Sequence, residues 1–201
     1  MGEWFDNVVD KDFLQENLTF TSIFIALYEH FTDYVVFNVK DFLCDIEVKD
    51  GKLICKKTEE YNSEILNRIV DEKGNKDVIK ASFLWLADNG AITDNDYKKF
   101  LALKGVRNKY AHEMAKIIYN GVDEEEITLL FDMYSLYSDI SKWFFTEIEA
   151  PIIGYEITKE VDLDKIQSIA SYAFGIVLNA LYGGKSEEYK KMIASIKSEV
   201  S

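Results

Sequence analysis

Apolar side chains recur at steps of three and four along most of this chain, the spacing of one face of an α-helix. Leu14, Leu18, Phe24, Leu27, Phe31, Val35, Val39 and Phe42 mostly keep that step from about Asp12 to Phe42. They predict a long first helix, broken at most once. The period then changes: in IEVKDGKLIC short β-prone runs flank Asp50-Gly51, a dipeptide suited to the positive φ angles of a tight turn, so a small hairpin or a loop is expected. Helical spacing returns near Glu59 to Val70, near Asp77 to Ala87, and from Asp94 to Tyr119, the last opening on the cap candidates Thr93 and Asp94. Gly90 and Gly121 stand where helices should end. Asp123 should cap another helix, carrying Leu129, Leu130, Met133, Leu136, Ile140 and Phe144, until Pro151 stops it.

Beyond Pro151 come a β-prone stretch, IIGYEIT, a helix from about Asp162 to Tyr182, Gly183-Gly184, and a last helix from about Ser186 to Val200. Residues 1–150 therefore read as a helical domain and 151–201 as a helical appendage packed on it. Ile169, Ala173, Ile176, Val177 and Ala180 form a face that the bundle or a second chain must cover. The fold class is all-α with a possible small β-hairpin insertion and extra C-terminal helices. One proline and ten glycines in 201 residues leave too few turn-formers for a many-stranded sandwich or barrel. A hydrophobic share of 48% excludes a mainly disordered chain.

Two cysteines, Cys44 and Cys55, are too few to suggest a disulfide framework or a metal-ligand cluster, and the N-terminal stretch lacks the pattern of a secretory leader. The most apolar stretch, Thr19 to Leu43, is interrupted by Glu29, His30, Asp33, Lys40 and Asp41, too many charges for a membrane span. A cytoplasmic protein without cofactor or metal is the expectation.

Charge alters this picture. The net charge is −13, yet Tyr97 to Asn120 holds six cations, Lys98, Lys99, Lys104, Arg107, Lys109 and Lys116, against the single anion Glu113. That window carries +5 in a chain whose other residues carry −18. A polyanion repelled by the whole would find its purchase there.

The same window holds the candidate chemistry. The chain has two arginines and two histidines, and one of each falls in RNKYAHE, Arg107 to Glu113. On a wheel of about 100° per residue with Val106 at zero, Leu103, Tyr110, Met114 and Ile117 form the buried stripe. His112 falls near 240° and Asn108 near 200°, away from the core, with Arg107 on the border near 100°. Asn108 and His112, spaced i, i+4, lie side by side. Arginine supplies a fixed fork of donors for phosphate, and histidine can move protons in either direction near neutrality. Gly105, Ala111 and Ala115 share the outward side. Such small residues admit another helix, either of this chain or of a second copy about a two-fold axis.

The stretch from Phe83 to Glu113, FLWLADNGAITDNDYKKFLALKGVRNKYAHE, resembles the HEPN superfamily, all-helical domains marked by an arginine, usually a following polar residue, and a histidine four to six positions on. The motif here is R-N-K-Y-A-H. The lead-in of Gly90, Ile92 and Tyr97 also looks like the mannitol operon repressor group. The resemblance implies a metal-independent endoribonuclease acting as a homodimer, with Arg107, Asn108 and His112 catalytic, and Lys104, Lys109 and Lys116 contacting RNA. It implies roles as a toxin, in phage defence or in RNA processing, with an antitoxin or regulatory protein as a further partner. Met114 stands where toxins paired with a minimal nucleotidyltransferase antitoxin commonly have tyrosine, so that pairing is not expected. The alternative is a non-catalytic HEPN-like regulatory or interaction module.

Other candidates read as structural. Asp123 to Glu126 suit the positive end of a helix dipole better than a metal. His30 has no partner visible in sequence. Trp85, Tyr134, Trp143, Phe144 and Phe145 fall in helices, as core residues more readily than as a base-stacking platform.

Overall fold

The computed structural model describes residues 7–49, 51–158 and 161–182, without the side chains at 164, 181 and 182. It is mostly helical, with one two-stranded antiparallel hairpin. Helix α1, Lys11–Leu43, runs unbroken for 33 residues, about 50 Å at the helical rise. Asp10 starts it by accepting from the amides of Asp12 and Phe13. Its buried stripe, Phe20, Phe24, Leu27, Phe31, Val35 and Val39, follows the three-and-four step, which makes α1 the spine of the core.

The hairpin forms as β1, Cys44–Lys49, and β2, Lys52–Lys57, with Val48 opposite Leu53 and Ile46 opposite Cys55. Thr58 donates its hydroxyl to the Leu43 carbonyl across its base. Helix α2 is short: one turn, Glu59–Tyr61, runs into a π segment, Asn62–Leu66. The helical reading to Val70 therefore stops early, and Asp71 folds the next loop by accepting from the amides of Lys73 and Asn75.

Helix α3, Val78–Asp88, begins at Asp77, and Gly90, with φ 75°, ends the turn beyond it. Helix α4, Asp94–His112, opens with a reciprocal Thr93/Asp96 capping box. The single helix expected to Tyr119 is two: Glu113, at φ −121° and ψ 26°, breaks it, and α5 follows as Met114–Asn120. At Gly121, φ is 80°, and a Cβ would come within 3.0 Å of the Phe13 ring. Glycine there lets the turn after α5 press onto α1.

Helix α6, Glu124–Trp143, continues through a π segment, Phe144–Glu149, into Ala150–Ile152. Pro151 does not stop it; the wide π turn takes up the proline near the helix end, and Gly154, at φ 69°, closes it. IIGYEIT forms no strand. Ile152, Ile153 and Tyr155 stand exposed there, with no strand to pair with among the described residues. Helix α7, Ile169–Tyr182, starts about seven residues later than its periodicity suggests, because Ser168 caps it by accepting from the Ser171 amide. The helix expected at 186–200 lies outside the described residues.

The face of α7 that packs is also different. Phe174 and Leu178 are buried, while Ile169 is 90% exposed and Ile176, Ala173 and Ala180 also face outward. Tyr134 and Tyr137 of α6 supply the reason. Phe174 stacks on the first ring and meets the second edge-on, and Gly175 lies so near that a Cβ would fall 2.8 Å from the Tyr134 hydroxyl.

Aromatic rings join the layers. Phe83 of α3 stacks on Phe100 of α4 at 3.7 Å, Phe31 of α1 meets Phe83 and Tyr137, and Phe24 meets Tyr110. Trp85 and Phe144 are buried, and Tyr134, Trp143 and Phe145 half-buried. No helix among the described residues is long and apolar enough to cross a membrane.

Candidate functional site

The Arg107–His112 segment occupies the last two turns of α4. Inward, Leu103 and Tyr110 are fully buried, as the wheel requires. Outward, Gly105, Asn108, Ala111 and His112 are exposed. A Cβ built on Gly105 meets nothing within 4 Å, so that glycine accommodates no neighbouring helix of this chain among the described residues. The wheel loses its phase at Glu113, where φ is −121° and ψ 26°; Ile117 is buried from α5, not from a continued α4.

Arg107 crosses to α1. Its Nε and Nη2 both donate to Glu29 Oε1, at 2.8 and 2.5 Å, while Nη1 reaches toward Asn108 Oδ1 at 3.4 Å. Arginine and asparagine are thus together. His112, the last residue of α4, stands in solvent and makes no hydrogen bond among the described residues. The other histidine, His30, is also exposed, with its ring edge on Tyr137 and Nε2 3.4 Å from the Tyr137 hydroxyl.

Among the described residues, five of the six cations in the basic window have a carboxylate partner. Lys99 pairs with Asp132, Lys104 with Asp77, Arg107 with Glu29, Lys109 with both Asp123 and Glu126, and Lys116 with Glu113. These pairs differ in how readily a phosphate could replace the carboxylate. Lys116 and Glu113 are well exposed, at 67% and 43%, so their pairing is weak and exchangeable. Lys104 meets Asp77 at 2.5 Å, both about one-third exposed. Burial would raise the Asp77 carboxyl, but donation from Lys104 and from the Lys80 amide holds it below the usual carboxylate range.

Lys109 is held hardest. Its ammonium lies 2.6 Å from Glu126, whose side chain is only 8% exposed, and that contact raises the lysine above its ordinary range. The other Glu126 oxygen accepts from the buried Tyr110 hydroxyl at 2.8 Å and from the Asp123 amide at 3.3 Å. One carboxylate therefore clamps two consecutive motif residues to the start of α6. Glu126 is thus more than the helix-dipole residue its position in the acidic run suggests; the signal for its role is the capping-box spacing after Asp123.

The face can present a neutral amide and an imidazole to solvent side by side, with a guanidinium at its border engaged by a partly exposed carboxylate. No family model, no curated protein and no solved structure matches the chain.

Proposed function

We propose that this protein is a metal-independent endoribonuclease of the HEPN type, acting as a cytoplasmic homodimer in which the outward face of α4 meets its copy. The observation that carries this reading is the open face itself: Asn108 and His112 exposed beside Gly105 and Ala111, with Arg107 at the edge. In such a dimer one His112 takes the proton of a ribose 2′-hydroxyl, the 2′-oxygen attacks phosphorus, and the His112 of the second copy protonates the leaving 5′-oxygen. Arg107 stabilises the charge that develops on the phosphate oxygens, and Asn108 orients the phosphate. Glu29 must yield Arg107 to the phosphate. A half-exposed pair of this kind contributes roughly 0–1 kcal/mol, so the exchange is cheap.

The Arg107–Glu29 pair also favours a second reading, a non-catalytic regulatory or interaction module in which the same face only meets a partner protein.

The test is incubation of the protein with total RNA and a short labelled strand in EDTA, beside a folded His112→Ala variant. Cleavage by the wild type that leaves 2′,3′-cyclic phosphate ends, and is lost in the variant, is the expected result. Absence of cleavage by a confirmed dimer refutes the enzyme and leaves the module.

A further inference from the structure

Cys44 and Cys55 project from the same side of the hairpin. Cys55 is the register partner of Ile46, and Cys44 lies two residues before Ile46 on β1, so the two are diagonal neighbours across the ribbon. The ladder ends at the next pair, Cys44 with Lys57, where the Thr58 hydroxyl donates to the Leu43 carbonyl and holds the base of the hairpin together. Their surroundings are unequal: Cys44 is buried where the hairpin leaves α1, and Cys55 is exposed. Burial, with the neighbouring Cys55 thiol adding to it, pushes the Cys44 thiol up to about 11. A thiol so held is a poor first target for an oxidant, whereas an exposed one is reachable.

The hairpin gives this pair consequence. Among the described residues its sheet has two strands, and Ile46, Val48 and Leu53, on the side that carries the cysteines, are 61%, 72% and 76% exposed. A two-stranded ribbon with an uncovered apolar side is marginal by itself. A covalent link at its base would constrain it more than any single ladder bond.

We propose that Cys44 and Cys55 form a hydroperoxide-responsive dithiol that closes to an intrachain disulfide across the base of the hairpin. The Cys55 sulfur attacks the distal oxygen of a hydroperoxide; the O–O bond breaks, leaving Cys55 as the sulfenic acid and releasing water or an alcohol. The Cys44 sulfur then attacks the Cys55 sulfur, the S–O bond breaks, and the hydroxyl leaves with the thiol proton as water. The two thiols lose two electrons and two protons, and the hydroperoxide is reduced. Cys44 is a weak nucleophile when protonated, but its fixed position beside Cys55 replaces an encounter with a held geometry. A dithiol reductant returns the pair to its starting state.

The experiment treats the full chain with hydrogen peroxide, removes the excess, blocks free thiols with a maleimide, and reads intact mass and peptide maps. The expected wild-type product lacks two hydrogens, takes no maleimide at either cysteine, yields a peptide linked 44 to 55, and reverts with dithiothreitol. Cys44→Ser should strand Cys55 as the sulfenic acid, raising its labelling by dimedone about tenfold over wild type before it proceeds to the sulfinic acid. Cys55→Ser alters only an exposed position and should leave Cys44 unoxidised at the same dose. Wild type that keeps both thiols open to maleimide, accumulates Cys55 sulfinic acid, or joins chain to chain through Cys55 overturns the proposal.

Discussion

Replacing Glu126 with alanine should destabilise the protein more than any exposed acidic substitution, because this carboxylate serves three donors from a site 6% exposed. The Tyr110 hydroxyl, fully buried, would lose its acceptor, at about 1–3 kcal/mol for an unsatisfied buried donor. Losing the reach back to the Asp123 amide costs about 1 kcal/mol, the usual scale for an N-terminal cap. Lys109 is one-third exposed and retains Asp123, so its share is below about 1 kcal/mol. The sum is about 3 kcal/mol. With a urea dependence of about 2 kcal/mol per molar, the unfolding midpoint should fall by about 1.5 M at unchanged slope. Tyr110→Phe alone should cost about 1 kcal/mol, yet cost much less in the Glu126→Ala background, where the Glu126 acceptor of its hydroxyl is already gone. The assay is equilibrium urea unfolding of the two single variants and the double. A Glu126→Ala midpoint within about 0.3 M of wild type, or strict additivity of the pair, would refute the clamp.

Two further outcomes follow from the same geometry. Gly105→Ala places a methyl group in open space within a helix interior, so the dilute protein should gain up to about 1 kcal/mol in urea unfolding. If copies meet at this face, the same methyl should weaken their association in sedimentation, and a loss of monomer stability would contradict the open geometry. The pH dependence has a defined sign. Asp77, Asp96 and Asp71 are held below the usual carboxylate range, so their contribution is complete above the unfolded value near pH 4 and is lost as pH falls through the lower folded values. Midpoints should be level from about pH 5 to 7 and drop below about pH 4. Asp77→Asn should flatten part of that drop; an unchanged acid limb would show that the Lys104 pairing contributes nothing.

Local signals carried the fold as far as local physics decided it. The three-and-four step draws α1 nearly to its ends, and the cap candidate Thr93 opens α4 by a hydrogen bond made within three residues, whereas the Ser168 cap, equally local, is not marked by the period that places α7 too early. The failures occur where a distant element decides. Nothing in RNKYAHEMAK marks a break: no glycine or proline stands at Glu113, and the wheel runs through it without penalty. The break suits α1, whose Asn17 accepts from the Val122 amide at 2.7 Å and whose Phe13 ring abuts Gly121. The β-prone IIGYEIT differs for the opposite reason: among the described residues it meets no partner strand, and propensity without one yields no ladder. On α7, period alone could not choose between two apolar faces, and the rings of Tyr134 and Tyr137 made the choice.

The basic window shows the same limit in electrostatic form. A run of +5 along the chain becomes a basic surface only if the folded neighbours leave it unneutralised. Here α1, α6 and the turn before α3 bring Glu29, Asp132, Asp123, Glu126 and Asp77 to four of its cations. Nucleic acid approaching α4 therefore meets paired charges and must displace carboxylates, which is easy at the exposed Lys116–Glu113 pair and costly at Lys109, held by a carboxylate 8% exposed. Affinity at this face would then come less from bulk attraction than from the exchange of Glu29 for a phosphate at Arg107. Under the proposed function that exchange would work on a single ion pair, and Glu29 would set how readily the guanidinium turns from its own chain to a phosphate.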